Sequence, residues 1–232
     1  MLSKPFKAIA AMALMFAVHV TARASQLDPL TPQNSVLLMV DYQPQFVFSV
    51  QSIDVNKLIN NAQGLSLAAK TFNVPTFYAT ISAKQFGGRF FRQLTDARPD
   101  VQPFDRTVIN PMDYAPLNEA IAKTGRKKLL VSGLWTDSCV TLPVLTALKQ
   151  GYEVYVVVDA SGDVSKESHD MAVERMVKAG AVPVTWLAVM LEWQGDWKRS
   201  DTGAQVQQIA QSHGGAWGQG IDYFHSMVAP RH

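Results

Sequence analysis

The sequence predicts an α/β fold, in which a central, mainly parallel sheet lies between two layers of helices as a three-layer α/β/α sandwich. Two observations indicate it. Short apolar runs rich in β-branched residues alternate with amphipathic helical patterns along the chain. These runs are almost continuously apolar, as expected for strands that helices cover on both faces. The 232 residues, 47% of them hydrophobic, suit one such domain with a large core.

The first 24 residues are predicted to be a signal peptide rather than part of the fold. Lys4 and Lys7 precede a short apolar run, "AIAAMALMFAVHV", and the small-residue pattern "ARA" stands before Ser25. The alternatives are an uncleaved anchor or a buried helix, although the run is short for a membrane span. We therefore expect an exported protein, periplasmic or secreted, that begins near Ser25 and does not bind a membrane after cleavage.

The folded domain is predicted over residues 25–199. Its first half reads, in order, as the strand "SVLLMVD", the helix "NKLINNAQGLSLAAKTF", the strand "VPTFYATI", the loop "SAKQFGGRFFRQL" with a short helix, the extended piece "TVIN" and the helix "MDYAPLNEAIAKTG". Its second half reads as the strand "KKLLVSG", the helix "CVTLPVLTALKQG", the strand "EVYVVVD", the helix "SKESHDMAVERMVKAG" and the strand "AVPVTW". Residues 200–232 are predicted to form a poorly periodic tail that packs on the domain or on a neighbouring subunit.

Asp41 and Cys139 both follow predicted strands. Ligands of parallel sheets bind beyond the carboxyl ends of the strands, which makes both residues candidates for a site. For Asp41 a turn or helix-capping role is the common alternative. Cys139 is the single cysteine of the chain, so it cannot form an intramolecular disulfide. Its position at the start of a helix predicts a stabilised thiolate, whereas free cysteines are also among the most buried residues.

A cation is the third element of the candidate site. Arg106, in "FDRTVIN", and Lys84, in "SAKQFGG", both lie near predicted strand ends. The ordinary role of either side chain is a solvated surface charge. Position alone does not decide which of these two cations belongs to the site.

Four segments together resemble the isochorismatase-like hydrolase family, and within it the cysteine hydrolases called YcaC-like: "LLMVDYQPQF", "FDRTVIN", "VSGLWTDSCV" and "EVYVVVDASGDVSKESHDMAVERMVKAGA". The resemblance implies a catalytic triad of Asp41, Arg106 and Cys139, with Arg106 preferred to Lys84. It also implies a cis peptide bond between Trp135 and Thr136, and an oxyanion hole made by the backbone amides of Thr136 and Cys139.

Five further side chains are candidate pocket residues, although core packing is the common alternative for aromatic ones. They are Tyr42, Phe46, Phe86, Asn110 and Trp135. No metal and no other cofactor is expected, because the segment after the second strand lacks the Asp-x-His motif of the related nicotinamidases. His169 is predicted to be a packing or hydrogen-bonding residue on a helix.

The predicted function is hydrolysis of a small molecule by a cysteine nucleophile, most simply at an amide or another C–N bond through a thioester. The resemblance implies a homo-oligomer. The charge of +2 without a basic stripe does not favour nucleic-acid binding. The alternative function is an exported scaffold of the same fold whose thiol acts as a redox sensor or an oligomer link.

Overall fold

The computed structural model of the chain describes residues 28–228. The predicted signal peptide, residues 1–24, lies outside this part of the chain. All elements below belong to one compact unit that begins at Thr31. Within residues 28–228, no helix has both the length and the apolar character that a membrane span requires.

Six parallel strands form a single sheet in the order β3-β2-β1-β4-β5-β6, which confirms the predicted fold class. The strands are β1 (Ser35–Val40), β2 (Thr76–Ile81), β3 (Phe104–Arg106), β4 (Lys128–Gly133), β5 (Glu153–Val157) and β6 (Val182–Val184). Every residue of β1 and β4 is buried, because these central strands are covered on both faces.

Nine α-helices accompany the sheet in the described residues. They are α1 (Pro44–Val47), α2 (Val55–Thr71), α3 (Arg92–Ala97), α4 (Ala115–Lys123), α5 (Thr141–Lys149), α6 (Lys166–Lys178), α7 (Trp186–Gln194), α8 (Gly203–His213) and α9 (Ala216–Tyr223). A π-helical turn, Thr136–Val140, runs directly into α5. Pro143 lies in the first turn of α5, where a missing amide proton removes no helical hydrogen bond.

Two helical layers cover the sheet. On one face, alternate β1 residues such as Val36, Leu38 and Val40 pack with apolar residues of α4, α5 and α6 in a single buried cluster. The other face carries α2 and α7, which pack against each other. Trp193 of α7 is fully buried and its indole donates to Ser35 Oγ at 3.1 Å.

Two predicted segments differ in the structure. The edge strand β3 is "FDR" rather than "TVIN", because Arg106 is the last residue to pair with β2, opposite Ile81. The C-terminal segment, predicted to lack periodicity, contains the helices α8 and α9. Part of it does pack on the domain, because α8 lies against α2 and buries Val206, Ile209 and Ala210. These three residues have helical spacing, but glutamines between them weaken the apolar pattern.

Candidate active site

The candidate site lies at the carboxyl end of the sheet, where the strand order changes direction between β1 and β4. Asp41 follows β1 directly, Arg106 ends β3, and Cys139 lies in the π-helical turn after β4. Loops from adjacent parallel strands diverge at such a point and leave a crevice. The topology therefore brings together three residues that are far apart in the sequence.

Sharp backbone turns at the strand ends shape this crevice. Asp41 has a φ of 54°, in the left-handed region that Asp tolerates better than most residues. Gly133, the last residue of β4, has a φ of 148°, and a Cβ at this position would lie 2.2 Å from the carbonyl oxygen of Val40. Only glycine permits β1 and β4 to approach so closely where the two chains turn towards the site.

Asp41 and Arg106 form a bidentate ion pair. Arg106 Nη1 donates to Oδ1 at 3.0 Å and Nη2 donates to Oδ2 at 2.8 Å, and both residues are almost completely buried. Nη2 also donates to the carbonyl of Ile109 at 3.0 Å. The Arg106 Nε–H has no acceptor within the described residues, so the guanidinium retains one unused donor inside the protein.

Cys139 interacts with both members of the pair. The Asp41 carboxylate and the Arg106 guanidinium lie close enough to the thiol to shift its pKa in opposite directions. Burial raises the pKa of Asp41 to about 6, although the Arg106 charge and its hydrogen bonds oppose the rise. Near neutral pH the carboxylate is thus ionised yet basic enough to accept a proton from a partner.

The predicted thiolate at Cys139 does not agree with the structure. Burial and the adjacent Asp41 carboxylate raise the pKa of the thiol to about 12, against the lowering effect of Arg106. Helix position favours the thiolate, but desolvation and a neighbouring negative charge disfavour it more strongly here. The resting sulfur is therefore a neutral thiol, 8% exposed, beside a ready base.

The rival cation, Lys84, is exposed and lines a separate cavity with Arg89 and Asp105. Arg106 is the cation that contacts Asp41. Sequence position made Arg106 and Lys84 equal candidates, and only the family resemblance favoured Arg106, because its partner Asp41 lies 65 residues away along the chain.

The nucleophile turn, residues 135–139, corrects two predictions. The cis peptide bond joins Leu134 to Trp135, one residue before the predicted bond. The Thr136 amide donates to the carbonyl of Gly162 at 3.0 Å, so this amide is occupied and does not belong to an oxyanion hole. Both differences arise where the chain leaves the sheet. The Leu134 amide still donates to the carbonyl of Val40 in β1, as a residue of β4 would, whereas the Thr136 amide donates to the chain after β5.

The chain after β5 lies against this turn, because Leu134 and Gly162 form a parallel β-bridge. Thr136 has a structural role instead: its hydroxyl also donates to Gly162 at 3.0 Å and contacts His169 Nδ1 at 2.8 Å. His169 is thus a hydrogen-bonding residue on α6, as predicted.

Three of the predicted pocket residues form an aromatic wall, defined as Phe46, Phe86 and Trp135. Phe46 contacts the other two edge to face, with ring centroids 5.3 Å from Trp135 and 5.9 Å from Phe86. The Trp135 indole donates to Ser49 Oγ at 3.0 Å, which holds the ring in place. Phe86 is 64% exposed, so much of its face is available to a ligand.

The other two pocket candidates have partners within the protein. Tyr42 is fully buried, and its hydroxyl bonds to Ser132 and to the carbonyl of Ala160, so it belongs to the core and that prediction is wrong. Asn110 is half-buried and caps a short 3₁₀ helix, and its amide group donates to Asp113 and Thr146. Its place in the pocket stays a prediction.

Gln43 is a residue that sequence reasoning missed. It is fully buried two residues after Asp41. Its side chain accepts from the Ile81 amide at 2.8 Å and donates to the carbonyls of Ile81 and Gly88. Gln43 thereby joins the chain after β1 to the loop after β2, which carries Phe86. The only signal in the sequence is a polar residue next to a buried run.

No set of three His, Cys, Asp or Glu side chains in residues 28–228 is placed to hold a metal ion. The polar groups that meet in the crevice are a thiol, a carboxylate and a guanidinium. Such a set supports proton transfer and nucleophilic attack.

Comparison with known proteins identifies the family of the chain. Residues 35–187 match the isochorismatase domain model. Probable hydrolase YcaC of Escherichia coli is 33% identical over 175 residues, which cover 75% of this chain and 84% of that protein. The secreted isochorismatase effector Isc1 of Phytophthora sojae is 31% identical over 167 residues, 69% of this chain and 77% of the relative.

Solved structures give the same result. The crystal structure of Escherichia coli YcaC, described as an octameric hydrolase of unknown specificity, superposes with a TM-score of 0.81 at 30% identity and covers 86% of this chain and 98% of its own. YcaC from Pseudomonas aeruginosa, solved with hexane-2,5-diol and covalent acrylamide, has the same TM-score, 31% identity and the same coverage. We conclude that the chain belongs to the isochorismatase family, as a hydrolase similar to YcaC.

Proposed function

We propose that the chain is a cysteine amidohydrolase that cleaves the C–N bond of small neutral amides through a thioester on Cys139. The observation that carries the proposal is the buried Asp41 carboxylate, which is paired with the Arg106 guanidinium and interacts electrostatically with the Cys139 thiol. A buried base next to a buried thiol is the arrangement that general-base activation of a nucleophile requires.

In the first step, Asp41 takes the proton of the Cys139 thiol as the sulfur attacks the amide carbon. The C=O electron pair moves to oxygen and forms a tetrahedral oxyanion. We expect the amide of Cys139 to donate to this oxyanion, whereas the Thr136 amide already donates to the carbonyl of Gly162. The protonated Asp41 then delivers its proton to the nitrogen, the C–N bond breaks, and ammonia or an amine leaves.

In the second half, water attacks the thioester while Asp41 accepts a proton from it. The C–S bond breaks, the acid leaves, and the Cys139 thiol regains its proton. Arg106 stays charged throughout, since a guanidinium does not lose its proton in proteins. Its role is to orient the carboxylate and to limit the rise of the Asp41 pKa that burial causes.

The aromatic wall supports a small neutral substrate. Asp41 and Arg106 neutralise each other through two hydrogen bonds, so the crevice offers no free charge to a charged substrate. Covalent acrylamide in the Pseudomonas aeruginosa relative indicates that an amide-bearing molecule reaches a reactive group in that protein. The alternative of a redox-sensing thiol has less support, because sensor cysteines have a lowered pKa and are accessible.

The test is ammonia release from a panel of small amides, carbamoyl compounds and nitriles, with Cys139→Ala as the blank. Mass spectrometry of the protein during turnover would detect the acyl adduct on its single cysteine. We expect at least one amide to be hydrolysed and the adduct to be found on Cys139. Hydrolysis that persists in Cys139→Ala would refute the thioester route.

We also propose that the protein is exported and forms a homo-oligomer. The first is supported by the sequence pattern of residues 1–24, and N-terminal sequencing of the mature protein is expected to begin near Ser25. The second is supported by the octameric YcaC of Escherichia coli and by exposed apolar residues in the C-terminal segment, among them Tyr223, Phe224 and Met227. Light scattering after size exclusion gives the oligomeric state; a monomer would contradict the proposal.

A further inference from the structure

We propose that Asp163 is a positioning residue for the nucleophile turn, which it ties to the segment that supports the aromatic wall. The inference rests on the proposed function, because it takes Cys139 as the nucleophile. Asp163 does not contact the reacting atoms in our proposal. It acts by holding the backbone from which Cys139 projects.

The carboxylate of Asp163 accepts two backbone hydrogen bonds. Oδ2 accepts from the amide of Asp137, in the middle of the nucleophile turn, at 2.8 Å, and Oδ1 accepts from the amide of Val164 at 2.8 Å. The residue is fully buried. An amide at the start of a helix has no helical acceptor, so Asp163 supplies the partner that Asp137 would otherwise lack.

The backbone of Asp163 contacts a second segment. Its amide donates to Ser52 Oγ at 2.8 Å, and its carbonyl accepts from the amides of Gln51 and Ser52 at 2.9 and 3.2 Å. This segment begins just after Ser49, whose hydroxyl accepts from the Trp135 indole at 3.0 Å. One residue thereby joins the chain that follows Asp41 to the turn that holds Cys139.

The neighbours of Asp163 reinforce the same link. Gly162 accepts two hydrogen bonds from Thr136, and His169 contacts the Thr136 hydroxyl. A Cβ at Gly162 would lie 2.9 Å from a Val50 methyl, so the two segments pack closely there. Burial raises the pKa of Asp163, although the amides of Asp137 and Val164 oppose the rise. Asp163 is thus a buried acid that holds the nucleophile turn without contacting Cys139 itself.

A carboxylate is needed because both of its oxygens face N–H donors. In Asp163→Asn, one oxygen becomes an NH₂ group that confronts a backbone N–H, so one hydrogen bond is lost while the shape is kept. Since reaction rates depend steeply on the placement of the reacting groups, a small shift of the nucleophile turn is expected to cost about 10-fold or more in rate.

Asp159→Asn is the matched control. Asp159 is a half-buried carboxylate after β5, and its Oδ1 accepts from the amide of Trp186 at 2.9 Å, away from the nucleophile turn. Both variants exchange a carboxylate for an amide beside a backbone N–H. A rate loss caused by that exchange in general, rather than by its place at the nucleophile turn, therefore appears in both.

The experiment measures three quantities in the full-length protein: the rate constant for alkylation of Cys139 by iodoacetamide, kcat and KM for an amide of the panel, and the melting temperature. For Asp163→Asn we expect alkylation and kcat to fall about 10-fold or more, with KM within about threefold of the wild type. For Asp159→Asn we expect both rates within about twofold and a smaller loss of melting temperature, because the amide oxygen can keep the single hydrogen bond from Trp186.

Equal alkylation rates in the folded Asp163→Asn and wild-type proteins would overturn the inference, as would an equal loss in both variants. If Asp163→Asn does not fold, Ser52→Ala decides, because it removes only the acceptor of the Asp163 amide; an unchanged alkylation rate there would overturn the inference. Alkylation that depends on Asp163 while no amide is hydrolysed would refute the proposed function alone.

Discussion

Two buried ion pairs lie at opposite ends of the same sheet and behave differently. At the carboxyl end, Arg106 and Asp41 are 0% and 1% exposed and bind through two hydrogen bonds. At the amino end, Lys128 and Glu153 lie 2.9 Å apart at the starts of β4 and β5, with side chains 5% and 20% exposed. Lys128 also donates to the hydroxyl of Tyr155 and lies over its ring.

The two pairs differ in their pKa shifts, because the effect of burial on the pKa exceeds the effect of the partner only in the pair of Asp41 and Arg106. For Asp41, desolvation is the largest effect and the pKa rises to about 6, towards the neutral form. For Lys128, burial lowers the pKa, but contacts with Tyr155 and Glu153 more than offset it, and the pKa rises, towards the charged form. The comparison teaches that complete burial turns an ion pair into a proton acceptor, whereas a partly solvated pair remains structural.

The largest difference in activity is expected when the acid of each ion pair is replaced, because only the acid at the carboxyl end of the sheet acts as the base. Asp41→Asn keeps the shape but removes the base, so kcat/KM for the amide of the panel should fall about 10²- to 10⁴-fold. Glu153→Gln should leave kcat/KM within about twofold. A similar loss in both variants, measured by ammonia release, would contradict the assignment of the base.

Replacing the cation of each pair tests how much the pair contributes to the free energy of unfolding. Arg106→Met leaves a buried carboxylate without its partner, which is expected to lower the free energy of unfolding by about 3–5 kcal/mol. Lys128→Met leaves Glu153 with access to water, and we expect a smaller loss of about 1–3 kcal/mol. Urea denaturation measures both, and an equal or larger loss in Lys128→Met would contradict the contrast.

The pH dependence sharpens the contrast further. Because Asp41 must be ionised to act as a base, kcat/KM should rise about tenfold per pH unit below pH 6 and level off above it. Since the folded pKa exceeds the ordinary value near 4, the stabilising effect of the Asp41 proton is complete below about pH 4 and is lost as the pH rises through 6.

Two variants act as controls for this profile. Arg106→Met should move the midpoint of any residual activity to a higher pH, because the charge that lowers the pKa of Asp41 is gone. Lys128→Met should leave the midpoint where it is. A midpoint near pH 4 in the wild type would show that the Asp41 carboxylate is not the group that titrates.

The smallest effect is expected at Lys84. This exposed side chain was the alternative cation in the sequence, but it does not contact the Asp41 pair. Lys84→Ala should retain kcat/KM within about twofold and the melting temperature within about 1 °C of the wild type. A loss approaching that of Arg106→Met would return the cation role to Lys84.

Several features were predictable from sequence because they depend on local patterns. The continuous apolar runs identified β1 and β4. Gly125, Gly151 and Gly180 marked the ends of the helices α4, α5 and α6. Asp41, Arg106 and Cys139 came from local motifs and from the family resemblance. The helix α8 escaped prediction because glutamines interrupt its three buried residues.

The sequence by itself determined the fold class and the strand ends that carry Asp41 and Cys139, because hydrophobic periodicity and short motifs are properties of neighbouring residues, while the resemblance to a family supplied Arg106. Only the tertiary structure decided which bond is cis, which amide is occupied, that Tyr42 belongs to the core, and that the Cys139 thiol is neutral. Each of these depends on burial and on partners from distant segments. Desolvation and hydrogen bonding across the fold have no local signature in the chain.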